Sequence, residues 1–445
     1  MATIDSVCRM MKFDKSNVLR NRAHALIPGG AHVYAKGDDQ YPFNAPGFIE
    51  RGRGCHVWDI DGNEFIEYGM GLRSVSLGHG YPSVVEAAHR QMVLGTNFSR
   101  PSPIEAECAE ILASFVDNAE MIKFGKNGSD VTTAAVKLAR AFTGRDMVAV
   151  CGDQPFFSVD DWFIGSTALS AGVPKPMQAL TVKFQYNDLA SLQRLFTQFP
   201  DSIACVILEA ETTVAPAPGF LEGLQEMIRK NGSVFILDEM ITGFRWHLGG
   251  AQTYYHLRPD LSTFGKAIAN GFSVAALVGR RDLMELGGLH HDKRRVFLLS
   301  TTHGAETHAL AAAMETMRIY RNEGVIEHLY SRGARLRSGI ERAIANFNLE
   351  GYFVLLGKEP NLIYATRDEH KKPSQAFRTL FLQETIKRGF LMPSLVVSFS
   401  HSDDDIDRTI ACIEEALGVY RKALEEGVGK YLEGRAVKPV FREFN

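Results

Sequence analysis

A carboxylate stands at the end of a run that reads as a buried strand. The run VFILDE, residues 234–239, is apolar as far as Asp238, which predicts a strand covered on both faces. A buried carboxylate is costly unless a cation pairs with it. Arg245 could be that cation in a structural ion pair, and a bound ligand could equally supply it.

A lysine downstream has a similarly apolar setting. In PDLSTFGKAIANGFSVAALVG, Lys266 stands between Gly265 and Ala267 in a segment almost without charge. Desolvation lowers the pKa of a lysine, and such an amine can form a Schiff base with a carbonyl compound. The alternative is an ordinary lysine on the surface.

A third segment has the pattern of an anion site. In KFGKNGSDVTTAAVKLARAFTGR, an apolar strand precedes Asn127-Gly128-Ser129-Asp130, and a helical pattern follows. The free N–H groups at the start of a helix, helped by the Ser129 hydroxyl, would cradle a phosphate. Ser129 or Asp130 could also be a plain helix cap.

Together these three elements predict one cofactor, pyridoxal 5'-phosphate (PLP). PLP needs an amine to carry its aldehyde, a phosphate cup, and an anion beside its ring nitrogen that keeps the pyridinium protonated. Lys266, the Asn127–Asp130 turn and Asp238 would supply these in turn. We expect no metal at this site.

The surrounding pattern predicts an α/β fold that would position these residues at the carboxyl ends of strands. Apolar runs at 121–124, 147–151, 205–210, 233–239 and 274–279 alternate with helical segments. An N-terminal hairpin is predicted around Asp61-Gly62. Short strands near 352–356 and 361–365 and a helix from about 403 indicate an α+β tail. We expect an N-terminal segment at 1–75 that joins a small domain, a large PLP-binding domain at 76–312, and a C-terminal small domain at 313–445.

Composition narrows the class of protein. The chain has 445 residues, is 45% hydrophobic and carries a net charge of −3, so we expect no nucleic acid partner and no membrane. The N-terminus lacks a secretory signal pattern, which favours a cytoplasmic location. The six cysteines are far apart, and we interpret them as buried or incidental thiols.

The chain resembles the class III aminotransferases of PLP fold type I, in the branch of glutamate-1-semialdehyde 2,1-aminomutase. The resemblance covers about residues 20–420, and its most specific pieces are HVWDIDGNEFIEY with LGHGYP, LDEMITGFR, PDLSTFGKAIANG and SFSHSDDDIDRTIACIEEAL. It implies a mostly parallel seven-stranded sheet between helices and a small α+β domain. It also implies a homodimer with shared active sites, in which Thr302, next to Thr301, would reach the partner's phosphate.

Several positions depart from the family pattern. Asn127-Gly128-Ser129-Asp130 replaces Ser-Gly-Thr-Glu but keeps the hydroxyl and the backbone donors. Phe156 aligns with the ring that stacks on the cofactor, although it could be a core residue. Glu209 precedes Ala210 where relatives have Glu-Pro, and it could meet Asp238 or have a structural role. Ile241, in the LDEMITGFR motif, is expected beside the cofactor.

The substrate residues are less defined. Lys36 lies where the aminomutase pattern has an arginine that clamps the substrate carboxylate, and lysine binds as a point charge without the bidentate fork. His32, Tyr34, Lys36 and Arg73 would suit a hydroxylated, acidic acceptor, although they could be ordinary loop residues. The stretches YAKGDDQYP and DDWFIG resemble sugar-acting members of this branch that use glutamate as donor.

Three hypotheses follow. The first is an intermolecular aminotransferase with ping-pong kinetics, in which Lys266 carries the cofactor and moves the substrate proton while Asp238 keeps the ring electron-poor. The second is an aminomutase that returns the amino group to the same molecule. The third is a PLP-binding protein without catalytic activity.

Overall fold

The computed structural model describes residues 11–444, which divide into two compact units. The first unit contains residues 11–72, 78–80 and 328–440, and the second contains 73–77, 81–327 and 441–444. The long helix at Thr307–Asn322 belongs to the second unit. The boundary that the sequence analysis placed after residue 312 therefore cuts this helix, and the structure divides the chain after residue 327 instead.

The bounds of the elements follow the alternating pattern of the sequence. The strands are β1 (Ile49–Arg53), β2 (His56–Asp59), β3 (Glu64–Glu67), β4 (Met121–Gly125), β5 (Met147–Cys151), β6 (Thr181–Phe184), β7 (Ile203–Leu208), β8 (Val234–Asp238), β9 (Leu261–Phe264), β10 (Ala275–Gly279), β11 (Phe353–Leu356), β12 (Ile363–Thr366) and β13 (Phe390–Leu391). The helices are α1 (Asp14–Leu26), α2 (Met70–Arg73), α3 (Pro82–Leu94), α4 (Pro103–Ala113), α5 (Gly128–Thr143), α6 (Asp161–Ile164), α7 (Lys175–Gln178), α8 (Leu189–Gln198), α9 (Phe220–Asn231), α10 (Gly250–Tyr254), α11 (Arg281–Met284), α12 (Thr307–Asn322), α13 (Val325–Asn346), α14 (Gln375–Lys387) and α15 (Asp403–Glu426). Single 3-10 turns occupy Pro28–Gly30, Tyr34–Lys36, Asp38–Gln40, Lys266–Ala269, Glu285–Gly287, Glu359–Asn361 and Val428–Lys430.

The second unit is built on a seven-stranded sheet in the order β4-β10-β9-β8-β7-β5-β6. Strand β10 is antiparallel to β4 and β9, and the other neighbours are parallel. Parallel neighbours need crossover connections, and α9 is the crossover between β7 and β8. Helices α5 and α8 connect β4 to β5 and β6 to β7, which are not neighbours in the sheet. This is the mostly parallel sheet expected from the sequence.

Both faces of this sheet are covered, which explains its apolar runs. Along β5, Val148 and Val150 pack in one cluster with residues of α5. The alternate residues Met147, Ala149 and Cys151 pack in a second cluster with residues of α8 and α9. Successive side chains of a strand point to opposite faces. A fully apolar strand therefore indicates a sheet that is covered by helices on both faces.

Two strands of this sheet, β6 and β9, were not predicted from the sequence. Strand β6 is one of the two edge strands, and it carries Lys183 on an exposed position. Strand β9 contains Ser262 and Thr263, both fully buried. Their hydroxyls donate to Gln252 Oε1 at 2.7 Å and to Asp238 Oδ1 at 3.2 Å, so hydrogen bonds offset the burial of these polar groups. An apolar pattern cannot reveal either kind of strand.

The first unit contains two small sheets. One has the order β1-β2-β3-β13, with β2 and β3 antiparallel around the Asp61-Gly62 turn, so the predicted hairpin is confirmed. Gly62 has a φ of 86°, a backbone conformation that glycine adopts without strain. The other sheet pairs β11 with β12, close to the two short strands predicted there.

The described residues contain no helix that combines the length and apolar composition of a membrane span. The described cysteines, Cys55, Cys108, Cys151, Cys205 and Cys412, are buried and free, as interpreted from the sequence. Cys8 lies outside the described residues.

Candidate active site

Three ionisable side chains from successive strands meet at the carboxyl edge of the seven-stranded sheet. Asp238 is the last residue of β8, and Glu209 directly follows β7. Leu208 and Leu237 are register partners, which places Glu209 beside Asp238 on parallel strands with both side chains on one face. Lys266 follows β9 by two residues and interacts electrostatically with both carboxylates.

Asp238 is held in one orientation. The Met240 N–H donates to its Oδ1 at 2.9 Å, and the Thr263 hydroxyl donates to the same oxygen at 3.2 Å. The second carboxylate oxygen has no donor among residues 11–444, so a bound cation can approach it. Burial raises the pKa of Asp238 to about 6, while the Lys266 ammonium and these two hydrogen bonds oppose the rise. A cation at the free oxygen would restore the charged form.

Glu209 is buried with an oxygen that lacks a partner. Its backbone is fixed by Gln154, whose side chain accepts from the Glu209 N–H at 2.8 Å and donates to its carbonyl at 2.6 Å. Its Oε2 has no hydrogen-bond partner within the described part of the chain. Burial and the neighbouring Asp238 charge raise the pKa of Glu209 to about 8, against the effects of Lys266 and Arg73. We call Glu209 and Asp238 the carboxylate pair; burial and the Asp238 charge favour the protonated form of Glu209.

Lys266 is presented on a strained turn. Its φ is 45°, in the left-handed region that a side chain rarely adopts, and such strain concentrates at functional sites. Burial lowers the pKa of its amine, while Glu209 and Asp238 act in the opposite direction. A lowered pKa leaves more of the amine unprotonated and able to attack a carbonyl.

The turn that carries Lys266 is anchored by an asparagine. Asn270 also has a left-handed backbone, with φ 44°. Its Oδ1 accepts from the Ser76 N–H at 3.0 Å and from the Leu77 N–H at 2.9 Å. Two amides from residues 73–77 therefore fix the end of the Lys266 turn, and the sequence alone did not indicate this link.

The start of α5 has the geometry of an anion cradle. Asp130 accepts from the Lys126 and Asn127 N–H groups at 3.0 and 2.9 Å and so holds the entry turn. The Ser129 oxygen accepts from the Val159 N–H at 3.0 Å, which leaves its hydroxyl proton for a ligand. The first-turn amides of α5 have no acceptor inside the helix. A helix start with these donors can bind a phosphate.

Met240, rather than Ile241, lies against this cradle. A side chain at Gly128 would meet Met240 Sδ at 3.0 Å, and one at Gly265 would meet it at 2.6 Å. Met240 therefore fills the space between the start of α5 and the residue before Lys266. Ile241 packs beside the other cluster of the sheet, with its carbonyl accepting from Arg245 Nη1 at 2.9 Å.

Within residues 11–444, Arg245 does not form the ion pair with Asp238 that the sequence left open. Its guanidinium donates to the carbonyl oxygens of Ile241 and Arg73. Burial lowers the pKa of Arg245 to about 10. Arg73 itself has a φ of 72°, at the end of the left-handed turn α2, and its charge acts on both Glu209 and Lys266.

The two aromatic candidates have different surroundings. Phe156 is 42% exposed and touches Phe163 edge-on, with ring centroids 5.8 Å apart. Phe157 is fully buried in the cluster with α5. Only Phe156 thus presents a ring surface to a ligand.

The remaining candidates lie on exposed segments. Thr301 and Thr302 are exposed, and the Thr302 carbonyl accepts from Asn97 Nδ2 at 2.9 Å. His32, Tyr34 and Lys36 are exposed in the first unit; Tyr34 and Lys36 belong to the 3-10 turn Tyr34–Lys36, and His32 lies just before it. The next turn is fixed by Asp38, which pairs with Arg20 at 3.0 Å and His24 at 2.8 Å.

These features fit PLP on grounds of donor chemistry. The free oxygen of Asp238 matches a pyridinium proton, the start of α5 matches a phosphate, and the Lys266 amine matches an aldehyde. A mostly parallel seven-stranded sheet with this arrangement defines the class of PLP-dependent enzymes of fold type I.

The comparisons with known proteins agree. The sequence profile of the family Aminotransferase class-III matches residues 34–349. The glutamate-1-semialdehyde 2,1-aminomutase of Desulforamulus reducens is 31% identical over 436 residues, which cover 93% of this chain and 99% of the relative. The glutamate-1-semialdehyde 2,1-aminomutase 2 of Bacillus mycoides is 33% identical over 432 residues, covering 92% and 99%. The chain belongs to the class III aminotransferase family, and its cofactor is PLP.

Solved structures support the same fold. The FumI protein of Sphingopyxis sp. MTA144, solved in its PLP internal aldimine form, has a TM-score of 0.85 at 26% identity and covers 93% of this chain and 98% of its own. The glutamate-1-semialdehyde-aminomutase of Pseudomonas aeruginosa PAO1 has a TM-score of 0.79 at 21% identity, covering 92% and 95%.

Proposed function

We propose that this protein is an intermolecular aminotransferase. It would move an amino group from an amino acid donor, glutamate, to the aldehyde or keto carbon of a small hydroxylated acidic acceptor. The proposed acceptor is an oxidised 3-deoxy-octulosonate sugar, and the product is 8-amino-3,8-dideoxy-manno-octulosonate, an amino sugar of lipopolysaccharide. The observation that carries the transferase chemistry is the meeting of Lys266, Asp238 and Glu209 at one sheet edge.

The residues have separate tasks in this proposal. PLP supplies the aldehyde and the electron-withdrawing ring. Gly128 and Ser129 would bind its phosphate through the first-turn amides of α5 and the Ser129 hydroxyl. Asn127 would bind it through its side-chain amide, because its N–H donates to Asp130. Asp238 would hold the proton on the ring nitrogen. The Lys266 amine would hold the aldehyde of the cofactor and would move a proton at the substrate α-carbon.

Three further side chains complete the proposed cofactor site. Phe156 would cover one face of the ring. The sequence also suggests Ile241 beside the ring, although its side chain packs against the cluster that includes α8 and α9. Met240 has stronger geometric support than Ile241, because its sulfur fills the space between Gly128 and Gly265. The carboxylate pair links the cofactor site to Arg73 through Glu209, whose pKa responds to the Arg73 charge.

The acceptor assignment rests on the exposed turns of the first unit. Lys36 offers a point charge where an aminomutase pattern has a bidentate arginine, which favours a different acid from glutamate semialdehyde. His32, Tyr34 and Arg73 would bind hydroxyl and carboxylate groups of the acceptor. We also propose a homodimer in which Thr302 reaches the partner's phosphate, consistent with its exposure in the single chain.

The reaction with glutamate alone distinguishes an aminotransferase from an aminomutase. Purified PLP-loaded protein is mixed with glutamate alone, and 2-oxoglutarate is quantified by mass spectrometry while the visible absorbance is followed. A transferase releases about one 2-oxoglutarate per chain and loses its visible band. If glutamate is inert but an amino-aldehyde or diamino acid bleaches the band, the aminomutase alternative is correct. Failure with every donor would leave the third hypothesis, a binding protein.

The acceptor is tested separately. The PLP-loaded protein is first reacted with glutamate and then mixed with oxidised 3-deoxy-octulosonate, other sugar aldehydes or keto acids. The aminated product is identified by mass. Lys36→Ala should raise the acceptor KM about 10- to 100-fold, the loss of one charge-assisted contact, and leave the glutamate half-reaction unchanged. Lys36→Met is the matched control that keeps the chain length without the charge. Equal acceptor kinetics in all three proteins would exclude Lys36 from the site.

A further inference from the structure

A cluster of side chains of metal-ligating types lies in the first unit. None of its residues is among those assigned to the cofactor. Cys55 directly precedes β2, His56 is the first residue of β2, and Asp405 lies in the first turn of α15. Their sulfur, ring nitrogen and carboxylate oxygen all lie within 4.8 Å of one another. We call these three residues the Cys55 cluster. Among residues 11–444 it is the one such group of three or more.

The separations between Asp405 and the other two side chains are of the size found between zinc ligands. Zinc lies about 2.3 Å from a thiolate sulfur and about 2.0–2.2 Å from imidazole nitrogen or carboxylate oxygen. At tetrahedral angles these bonds separate sulfur from oxygen by about 3.6 Å and nitrogen from oxygen by about 3.4 Å. Cys55 Sγ lies 3.5 Å from Asp405 Oδ2, and His56 Nε2 lies 3.4 Å from the other oxygen, Oδ1. Each pair of atoms therefore has the spacing of zinc ligands, through a different oxygen of the same carboxylate.

Residues outside the cluster orient the side chains of His56 and Asp405. His56 Nδ1 lies 2.8 Å from Glu64 Oε1, across the β2–β3 hairpin. A carboxylate at Nδ1 holds the proton there and turns the Nε2 lone pair towards Asp405, as in carboxylate–histidine–zinc arrangements. Asp405 is oriented by Ser402, whose N–H and hydroxyl donate to Oδ2 at 3.0 and 2.7 Å.

The cluster is also preorganised by the fold. Cys55 is 1% exposed and Asp405 is 7% exposed, so neither side chain is free to rotate into solvent. The two come from segments 350 positions apart in the chain. In the metal-free state the Cys55 thiol donates to Asp405 Oδ2 and, at 3.6 Å, to the Ser400 carbonyl.

We propose that Cys55, His56 and Asp405 bind one divalent cation of the zinc class, with water as the fourth ligand. A thiolate, an imidazole and a carboxylate form the donor set that zinc accepts, whereas magnesium and calcium prefer oxygen alone. The His56 side chain is 26% exposed, which gives the cation and its water access from solvent. Binding replaces the thiol proton, which is released to solvent.

The cation would have a structural role. It would join the start of β2 to the first turn of α15, so that the N-terminal sheet and the C-terminal helix of the first unit are cross-linked. Because the metal binds only when both segments are in place, its binding free energy contributes to folding.

The test uses the PLP-loaded protein after chelator treatment and buffer exchange. Co²⁺ is titrated in, and its d–d bands in the red, where PLP does not absorb, report a tetrahedral site. Zn²⁺ stoichiometry is measured by elemental analysis. The variants are Cys55→Ser and His56→Gln. The matched controls are Cys412→Ser, a buried thiol on α15, and His79→Gln, a half-buried histidine that is also paired with a carboxylate.

We expect one Zn²⁺ per chain in the wild type and in both controls, and at least a tenfold loss of affinity in Cys55→Ser and His56→Gln. Zn²⁺ should raise the melting temperature of the wild type but not of Cys55→Ser. Glu64 is on the surface of the hairpin, so Glu64→Gln should fold and weaken binding about 10- to 100-fold.

The proposal is overturned if the wild type binds no stoichiometric Zn²⁺, or if Cys55→Ser and Glu64→Gln bind like the controls. Tetrahedral Co²⁺ bands that persist in Cys55→Ser would place the metal elsewhere. Should Cys55→Ser fail to fold, the unchanged affinity of Glu64→Gln would still refute the site.

Discussion

Glu209→Gln removes the less acidic member of the carboxylate pair and should change how stability depends on pH. The pKa of Glu209 is raised from 4.5 to about 8, because its carboxyl is buried next to Asp238. The folded protein therefore binds a proton that the unfolded chain has lost. Stability is fully present below about pH 4.5 and falls as the pH rises through about 8.

The size of the effect follows from that interval. At about 1.36 kcal/mol per pKa unit, the shift from 4.5 to about 8 gives a ceiling of about 5 kcal/mol. Lys266 and Arg73 stabilise the ionised carboxylate, and the pKa of about 8 already includes their opposing effect. We therefore expect Glu209→Gln to be more stable than the wild type by roughly 2–5 kcal/mol at about pH 9, and by no more than about 1 kcal/mol near pH 5, where the unfolded carboxyl has begun to ionise.

The assay is urea unfolding of the PLP-free protein, followed by circular dichroism at both pH values. Glu211→Gln is the matched control, because Glu211 is two residues away and its carboxylate accepts from Trp246 Nε1 and the Tyr255 hydroxyl. That control should lose stability at both pH values, since hydrogen bonds to a charged carboxylate are stronger than the same bonds to a neutral amide. If the stability difference between Glu209→Gln and the wild type is the same at the two pH values, Glu209 is not the protonated group that the geometry indicates.

Further predictions concern the catalytic amine, its counter-charge and the turn that holds them. Lys266→Ala should abolish turnover and leave PLP bound noncovalently, which borohydride reduction followed by intact-mass measurement checks; full activity would contradict the role of the amine. Asp238→Asn keeps the shape and the acceptor for the Met240 N–H, so kcat should fall by about two orders of magnitude or more with an unchanged circular dichroism spectrum, and near-normal turnover would remove the proposed role of its charge. Asn270→Ala leaves the Ser76 and Leu77 amides without their acceptor and should destabilise the protein by about 2–3 kcal/mol in urea unfolding, whereas a change under about 0.5 kcal/mol would show that water replaces the side chain.

Much of the fold could be predicted from the sequence, because strands that are buried on both faces of a sheet are apolar along their whole length. The β5 run MVAVC has the bounds expected from the sequence, since all five residues are buried between two helical layers. Strand β9 was missed because Ser262 and Thr263 are buried with hydrogen bonds that only the folded chain provides.

The candidate site shows the same division. Asp238 and Lys266 were conspicuous because each places a charge in an apolar stretch. Nothing local marks Thr263 or Asn270 as their supports, because each makes its hydrogen bonds to residues distant in sequence. Met240 and Ile241 are adjacent apolar residues, and only the packed structure shows which one borders Gly128 and Gly265.

By itself the sequence determined the class of fold, the cofactor and the chemical types of the residues that would serve it, because these follow from local pattern and from unusual charge. The tertiary structure alone decided that Glu209 and Asp238 share one face, through the pairing of β7 with β8. It also decided that Cys55 and His56 meet Asp405. Register and long-range contact are set by the packing of the whole chain, and no local stretch contains them.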